Sequence, residues 1–297
     1  MTVTARLPPL DVRRWVNSPP LTPDALAGRV VLVDIWEYTC INWIRTAPYV
    51  RAWHRDYADR GLTVIGLHAP EFEFGKHAEN IDRGIRDHQL SYPIALDDDF
   101  TVWSALDNIA WPARYLFDAD GKRVARWIGE GEYDRTEAVL RQLLVDRDPD
   151  VELPSVTPEA ATFAATEQPS YAGVTEETYL GVDRRLPGAF DLTGDWRDSG
   201  DYVELVSDAG EIALPFDAGE VNLVVEPGPS GRAALRVLLD GRPVADRSGR
   251  DVDADGVVRV DRPGMVRLVA GAARGDHLLT LVADQPGCRA YVFTFGP

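Results

Sequence analysis

Hydrophobic and polar positions divide the 297-residue chain into two parts with different periodicities. In the first part, the near-continuous apolar run at 28–36 (GRVVLVDIW) predicts a strand buried on both faces. A helical stretch is expected over 40–60, with apolar residues at Ile41, Ile44, Val50 and Trp53. It should kink at Pro48, which lacks a backbone donor and crowds the preceding turn. A second buried strand at 62–67 (LTVIGL) completes a βαβ unit, which implies parallel strands and a right-handed crossover. The pattern then predicts a helix over 78–88, a short strand over 92–96 and a helix near 100–106. A strand over 113–117 turns at Asp118–Gly121 into a hairpin partner over 122–128, and a helix over 136–144 closes the unit.

Residues 148–170 are rich in Pro, Ala, Thr and Glu and show no periodicity, which is linker composition. Beyond Tyr179 the segments YVELVS, EIALPF, VNLVVE, ALRVLLD, VVRV, MVRLVA, HLLTLVA and AYVFTF recur between Gly, Asp and Pro turns. Many short strands at near-regular spacing predict an antiparallel sandwich. The expected organisation is an α/β domain over 1–147, a linker over 148–177 and an all-β sandwich over 178–297, with no true repeat.

Composition narrows the functional classes. A hydrophobic fraction of 45% with 27% charged residues describes a globular chain and not a disordered one. A formal net charge of −17 without basic runs argues against nucleic acid and anionic membrane as partners. No apolar run reaches the roughly 18–20 residues of a spanning helix. The start, MTVTARLPPLDVRRW, lacks the apolar centre of a secretory signal, so a cytoplasmic location is expected. Cys40 and Cys288 are too few for a disulfide framework or a four-thiolate zinc site, and a cytoplasmic thiol pool disfavours a bridge between them. The five histidines (His54, His68, His77, His88, His277) have no ligand spacing and read as surface or loop residues. Neither a metal nor a cofactor is expected.

The segment VDIWEYTCINWIRTAP sets Asp34 on a strand, Trp36 four residues before Cys40 and Pro48 eight after it; Trp111-Pro112 stands directly before a later strand. These features resemble the thioredoxin superfamily, in particular the TlpA-like branch found in DipZ-type proteins. HAPEFEF, GEGEYD, TYLG (Thr178–Gly181), GDW (Gly194–Trp196), DVD (Asp251–Asp253) and FTFG (Phe293–Gly296) extend the likeness over almost the whole chain. The resemblance implies a thioredoxin-like domain followed by a jelly-roll sandwich similar to carbohydrate-binding modules. It also implies a cis proline at Pro112 beside the active thiol. Two departures stand out. The membrane-embedded electron-transfer domain of DipZ-type proteins is absent from these residues, and their C-I-N-C motif reads Cys40-Ile41-Asn42-Trp43.

In a C-x-x-C protein the first thiol sits at a helix N-terminus, whose unpaired N–H groups and dipole favour a thiolate; the second resolves the mixed disulfide. Cys40 keeps the first position, and the resemblance makes it the reactive cysteine. Trp43 cannot resolve, so an adduct at Cys40 would persist until an external thiol removed it. By resemblance, Asp34 is the buried carboxylate that moves the resolving thiol's proton; with that client gone it is a structural remnant or a general base for another reaction. Glu71 matches a carboxylate near the active thiol in TlpA-like proteins, or is a solvated loop acid. Trp36, Trp43 and Trp111 are expected to gather near Cys40, either as a wall for a flat or apolar ligand or with Trp43 filling space beside Pro112.

Peroxidatic chemistry is disfavoured, because Glu37 stands three residues before Cys40 and a carboxylate there would repel a thiolate. In the second domain Tyr179, Trp196, Tyr202 and Tyr291 are candidates for a sugar platform or for the core, and the domain could also form a homodimer interface. Cys288 reads as a passive thiol. The expected function is that of a single-cysteine thiol protein acting through Cys40 on a small-molecule thiol, disulfide or other small ligand, with or without a protein redox partner. Two other readings stay open: a non-redox binding or scaffold protein, and an enzyme of specialised metabolism with an aromatic pocket and Asp34 or Glu71 as acid–base.

Overall fold

A short edge strand, β1 (Arg14–Val16), and a one-turn helix, α1 (Pro23–Leu26), lead into β2 (Val30–Trp36), the strand that carries the apolar run. Next come α2 (Ile41–Tyr57), β3 (Leu62–His68), α3 (Ala78–Asp87) and β4 (Ile94–Leu96). After these follow α4 (Thr101–Ala105), β5 (Ala113–Phe117), β6 (Arg123–Ile128), α5 (Tyr133–Arg147) and α6 (Pro158–Ala165). The computed structural model describes residues 6–166 and 170–297, in two units, Met1–Gln168 and Pro169–Pro297. Residues 1–5, where the segment inspected for an export signal begins, and 167–169 of the expected linker lie outside the described residues.

The first unit is built on a six-stranded sheet in the order β1-β4-β3-β2-β5-β6. The expected βαβ unit makes β2, β3 and β4 parallel, while β1, β5 and β6 join antiparallel. Side chains alternate across a strand. Val31, Val33 and Ile35 of β2 enter one core with Leu26, Ile65, Leu67, Val102 and Leu106. Leu32, Asp34 and Trp36 therefore point to the other face, where α2 packs. The helix continues through Pro48, the position at which a kink is expected.

The expected linker is partly structured. Thr157 caps α6, its hydroxyl accepting from the Ala160 N–H at 3.3 Å, and Pro158 sits at the first helical position, where its missing donor costs nothing. Phe163 packs edge-on against Tyr133 and Tyr49, with ring centroids 4.7 and 5.9 Å away. The buried Glu137 carboxylate binds the cap to the unit. It accepts from Thr157 N (2.8 Å), Thr157 Oγ1 (2.7 Å), Trp53 Nε1 (3.0 Å) and the Tyr57 hydroxyl. Composition alone hides this segment because the carboxylate that holds it lies twenty residues earlier, on α5.

The second unit comprises β7 (Thr178–Tyr179), β8 (Asp191–Thr193), β9 (Trp196–Asp198), β10 (Val203–Leu205), β11 (Gly210–Phe216) and β12 (Glu220–Glu226). The remaining strands are β13 (Ala233–Leu239), β14 (Arg242–Pro243), β15 (Val257–Val260), β16 (Gly264–Val269), β17 (His277–Ala283) and β18 (Arg289–Gly296). They form two antiparallel sheets, β16-β12-β18-β10-β9 with β7 on β18, and β14-β13-β17-β11-β8 with β15 on β13. In β11, Gly210, Ile212, Leu214 and Phe216 are buried while Glu211 and Pro215 face solvent, the alternation of a half-buried strand. A single core, including Leu214, Leu223, Val237, Leu281 and Phe293, fills the sandwich.

Trp196, Tyr202 and Tyr291 do not make one flat platform. Tyr291 is buried, donates to Glu226 Oε2 at 2.7 Å and is tilted 51° from Tyr202. Trp196 donates to the Thr193 carbonyl at 3.0 Å and packs on the core. Cys288 is enclosed by that core, and burial pushes its thiol pKa up to about 12. Cys288 is accordingly expected to resist iodoacetamide at pH 8 in the folded chain and to react once urea opens the sandwich. Peptide mass spectrometry would read this, and fast native labelling would contradict the burial.

Candidate functional site around Cys40

Cys40 is the N-cap residue of α2, in extended conformation directly beyond the carboxyl end of β2. Neither cysteine takes part in a disulfide. The loop Glu37–Cys40 is wound on itself: Cys40 N donates to the Glu37 carbonyl at 3.2 Å, and Thr39 N donates to Glu37 Oε2 at 2.7 Å. The Thr39 hydroxyl donates to the same oxygen. Beside this loop, Ala69 N donates to the Trp36 carbonyl (3.2 Å), and Trp111 Nε1 donates to the Ala69 carbonyl (2.9 Å). The ends of β2 and β3 and the segment before β5 thus meet at one end of the central strands, where the Trp111–Pro112 peptide is cis. Glu71 lies two residues beyond Ala69, half-buried in the same loop.

Trp43 changes the picture drawn from the sequence. It lies one turn into α2 with its ring turned inward and fully buried. Its indole N–H donates to Asp34 Oδ2 at 3.0 Å. Asp34 has therefore exchanged a thiol client for an indole. Burial raises the Asp34 pKa from 3.8 to about 7; the Trp43 hydrogen bond, the Arg114 charge and Tyr92 each pull it back. The Tyr92 hydroxyl faces the carboxyl but is not placed for a well-formed hydrogen bond to Oδ1. Arg114 stands opposite Asp34 in the β2–β5 register, itself buried, donating to Thr136 Oγ1 (3.3 Å) and the Gly131 carbonyl (2.5 Å). Arg114 is not among the residues singled out by the sequence motifs; its signal is an arginine inside a strand of otherwise apolar residues, two positions after Pro112.

The three tryptophans do not gather. Trp36 and Trp43 pack together at 4.8 Å, both without exposed surface, whereas Trp111 packs on Trp103 at 4.4 Å and on Phe100. An indole that fills the core cannot also wall an open pocket, so the expected aromatic wall is not formed by Trp36 and Trp43. His68 also departs from expectation: it is fully buried at the end of β3, edge-on to Trp36 at 4.8 Å and stacked on Tyr38 at 6.3 Å. Its place at the end of an apolar strand, in line with Trp36 on β2, explains the burial. Among the described residues no three His, Cys, Asp or Glu side chains are grouped to hold a metal, and no helix is long and apolar enough to cross a membrane.

A cysteine at the N-terminus of the helix that follows a central parallel strand, with a buried aspartate behind it and an X-Pro loop beside it, defines a thioredoxin-superfamily site. Residues 159–296 match the family model described as "Thioredoxin like C-terminal domain". Protein DipZ of Mycobacterium bovis and of Mycobacterium tuberculosis is 38% identical over 309 residues, covering 95% of this chain and 41% of theirs. The chain thus spans about two fifths of the length of these relatives. Thiol-disulfide oxidoreductase ResA of Bacillus cereus is 25% identical over 118 residues, covering 40% of this chain and 65% of its own. Among solved structures, a thioredoxin-like protein in the oxidized form is 25% identical, with 49% of this chain and 99% of that chain covered and a TM-score of 0.45. These likenesses support a TlpA/DipZ-type protein of the thioredoxin superfamily.

Proposed function

We propose that this chain is a single-cysteine thiol-exchange protein acting through Cys40. The observation that carries the reading is the pairing of Cys40 at the head of a 17-residue helix with Trp43 in the place of a resolving thiol. A helix N-terminus offers unpaired N–H groups and the positive end of a dipole to a thiolate. The thiolate attacks one sulfur of a disulfide RS–SR′, forming Cys40–S–SR and releasing R′S−. An external thiolate then attacks the adduct, carries RS away as a new disulfide and returns Cys40 as thiolate. Both steps balance without a second protein sulfur. The partners would be a small thiol or disulfide or a protein thiol; Glu71, on the neighbouring loop, is the nearest candidate in sequence to β3 for proton transfer to the leaving sulfur. The competing reading, a non-redox pocket walled by tryptophan, draws less support because Trp36 and Trp43 are buried.

Incubation of the reduced, folded protein with glutathione disulfide at pH 8 is expected to add one glutathione at Cys40. The adduct should survive removal of excess reagent and be released by added dithiothreitol. Cys40→Ser should lose the adduct entirely. Mass spectrometry reads each step, and an adduct retained by Cys40→Ser, or none formed on the folded protein, would defeat the proposal.

A further inference from the structure

Glu37 and His68 are both fully buried, and the expectation that a carboxylate here repels a thiolate can be tested against what surrounds it. Glu37 Oε2 is engaged by Thr39, while Oε1 makes no hydrogen bond and lies 3.7 Å from His68 Nε2. Neither ring nitrogen of His68 has a hydrogen-bond partner among the described residues. A gap of 3.7 Å is too long for a hydrogen bond and short enough for an ion pair. A buried carboxylate without compensation is costly, and a buried imidazole is the group that can supply the missing charge.

The remaining neighbours do not take that part. Trp36 and Tyr38 pack on the imidazole through their rings, and Gly75 and Pro70 close over Glu37, a Cβ on Gly75 reaching Oε1 at 3.4 Å. After β4, Asp97 meets His68 through the backbone, its N–H donating to the His68 carbonyl at 2.8 Å. The Asp97 carboxylate is turned to α4, accepting from Val102 N (3.1 Å) and Trp103 N (2.7 Å). Asp34, on the same strand as Trp36, is bonded to Trp43. Among the described residues, His68 is thus the ionisable group that stands at ion-pair distance from Glu37.

We propose that Glu37 and His68 are positioning residues for Cys40: they share one proton, so that the carboxylate that winds the Thr39–Cys40 loop does so without presenting its charge to the thiolate. The pair also ties the two walls of the site together. Glu37 holds the Cys40 loop, and His68 leads through Ala69 to Trp111 and the Pro112 loop.

The inference rests on the thiol reading of Cys40, and its test is independent of disulfide partners. Iodoacetamide labelling of Cys40 is followed against pH in the wild type, Glu37→Gln, His68→Gln and the double variant, each checked for folding by circular dichroism. Glu37→Gln keeps an acceptor for Thr39 and removes an already neutralised carboxylate, leaving a neutral imidazole, so labelling should stay close to the wild-type rate. His68→Gln strands the carboxylate and should slow labelling roughly three- to tenfold, the scale of one screened charge nearby. The double variant should return close to wild type. A folded His68→Gln that labels at the wild-type rate, or slowing that persists in the double variant, would overturn the proposal. If either variant fails to fold, the wild type decides: nitrogen-15 and carbon-13 spectra should show either His68 protonated at both ring nitrogens or Glu37 protonated, and a neutral ring beside an ionised Glu37 carboxylate overturns the pair. A Cys40 that follows these profiles and never exchanges with disulfides would defeat the proposed function and leave the pair standing. Unmoved profiles in a chain that does exchange would do the reverse.

Discussion

Trp43→Cys is expected to form a disulfide between Cys40 and the introduced thiol on oxidation and, at the same time, to lower stability by about 3–5 kcal/mol. Residues three apart on a helix face the same side, about 5–6 Å between Cβ atoms, and modest adjustment brings such a pair within disulfide reach. Position 43 also faces Asp34, so the restored thiol would meet the carboxylate that the indole now engages. The cost arises because Trp43 has no exposed surface, and its ring contacts Trp36 and, edge-on at 5.0 Å, His88. Removing it leaves a cavity that the neighbouring rings fill only partly. Thiol titration before and after mild oxidation, with urea unfolding of both forms, reads the two effects. A folded variant that keeps both thiols after oxidation would show that the helix start no longer has dithiol geometry.

Asp34→Asn is expected to stabilise the protein at pH 8 by up to about 4 kcal/mol, with the gain vanishing as pH falls toward about 4. The sign follows from linkage. The folded state holds the Asp34 proton up to about pH 7, whereas an unfolded aspartate releases it near 3.8. The folded state binds more protons between those values, so wild-type stability from this group is complete at low pH. It is lost as pH rises from about 4 to about 7 and is constant above. A difference of about three units at about 1.4 kcal/mol each sets the upper limit. Asparagine has no proton to lose, and its side-chain oxygen can still accept from Trp43. Urea unfolding of both proteins from pH 4 to 8 gives the difference directly, common contributions from other groups cancelling. A difference that does not change with pH would mean that Asp34 is ionised in the folded state across this range.

Both expectations depend on a contact that joins residues nine apart in sequence, beyond what local periodicity carries. The βαβ unit over 28–67 and eight strands of the sandwich were legible because apolar periodicity is a local consequence of burial. Each of those eight segments coincides with a strand from β10 to β18, leaving only the two-residue β14 unmarked. Edges were less legible: β1 pairs β4 through three residues whose neighbours in sequence offer no period. The helix over 158–165 has linker composition, since Ala, Thr and Pro are equally at home in either and its anchor is Glu137.

At the site, residue types alone located Cys40 and the missing resolving thiol, because a C-x-x-W string after an apolar strand leaves one sulfur at the helix start whatever the packing. Direction was beyond the string. Whether Trp43 faces a ligand or the core depends on how α2 is rotated over β2, and that is decided by the alternation that sends Asp34 and Trp36 to the same face. The partition of the tryptophans, the Asp34–Arg114 register and the approach of Glu37 to His68 join side chains from different strands and helices. Local pattern carries information about how much of a segment is buried; only the packed tertiary structure sets which buried polar groups face one another, because that pairing is chosen by the sum of contacts across the whole unit.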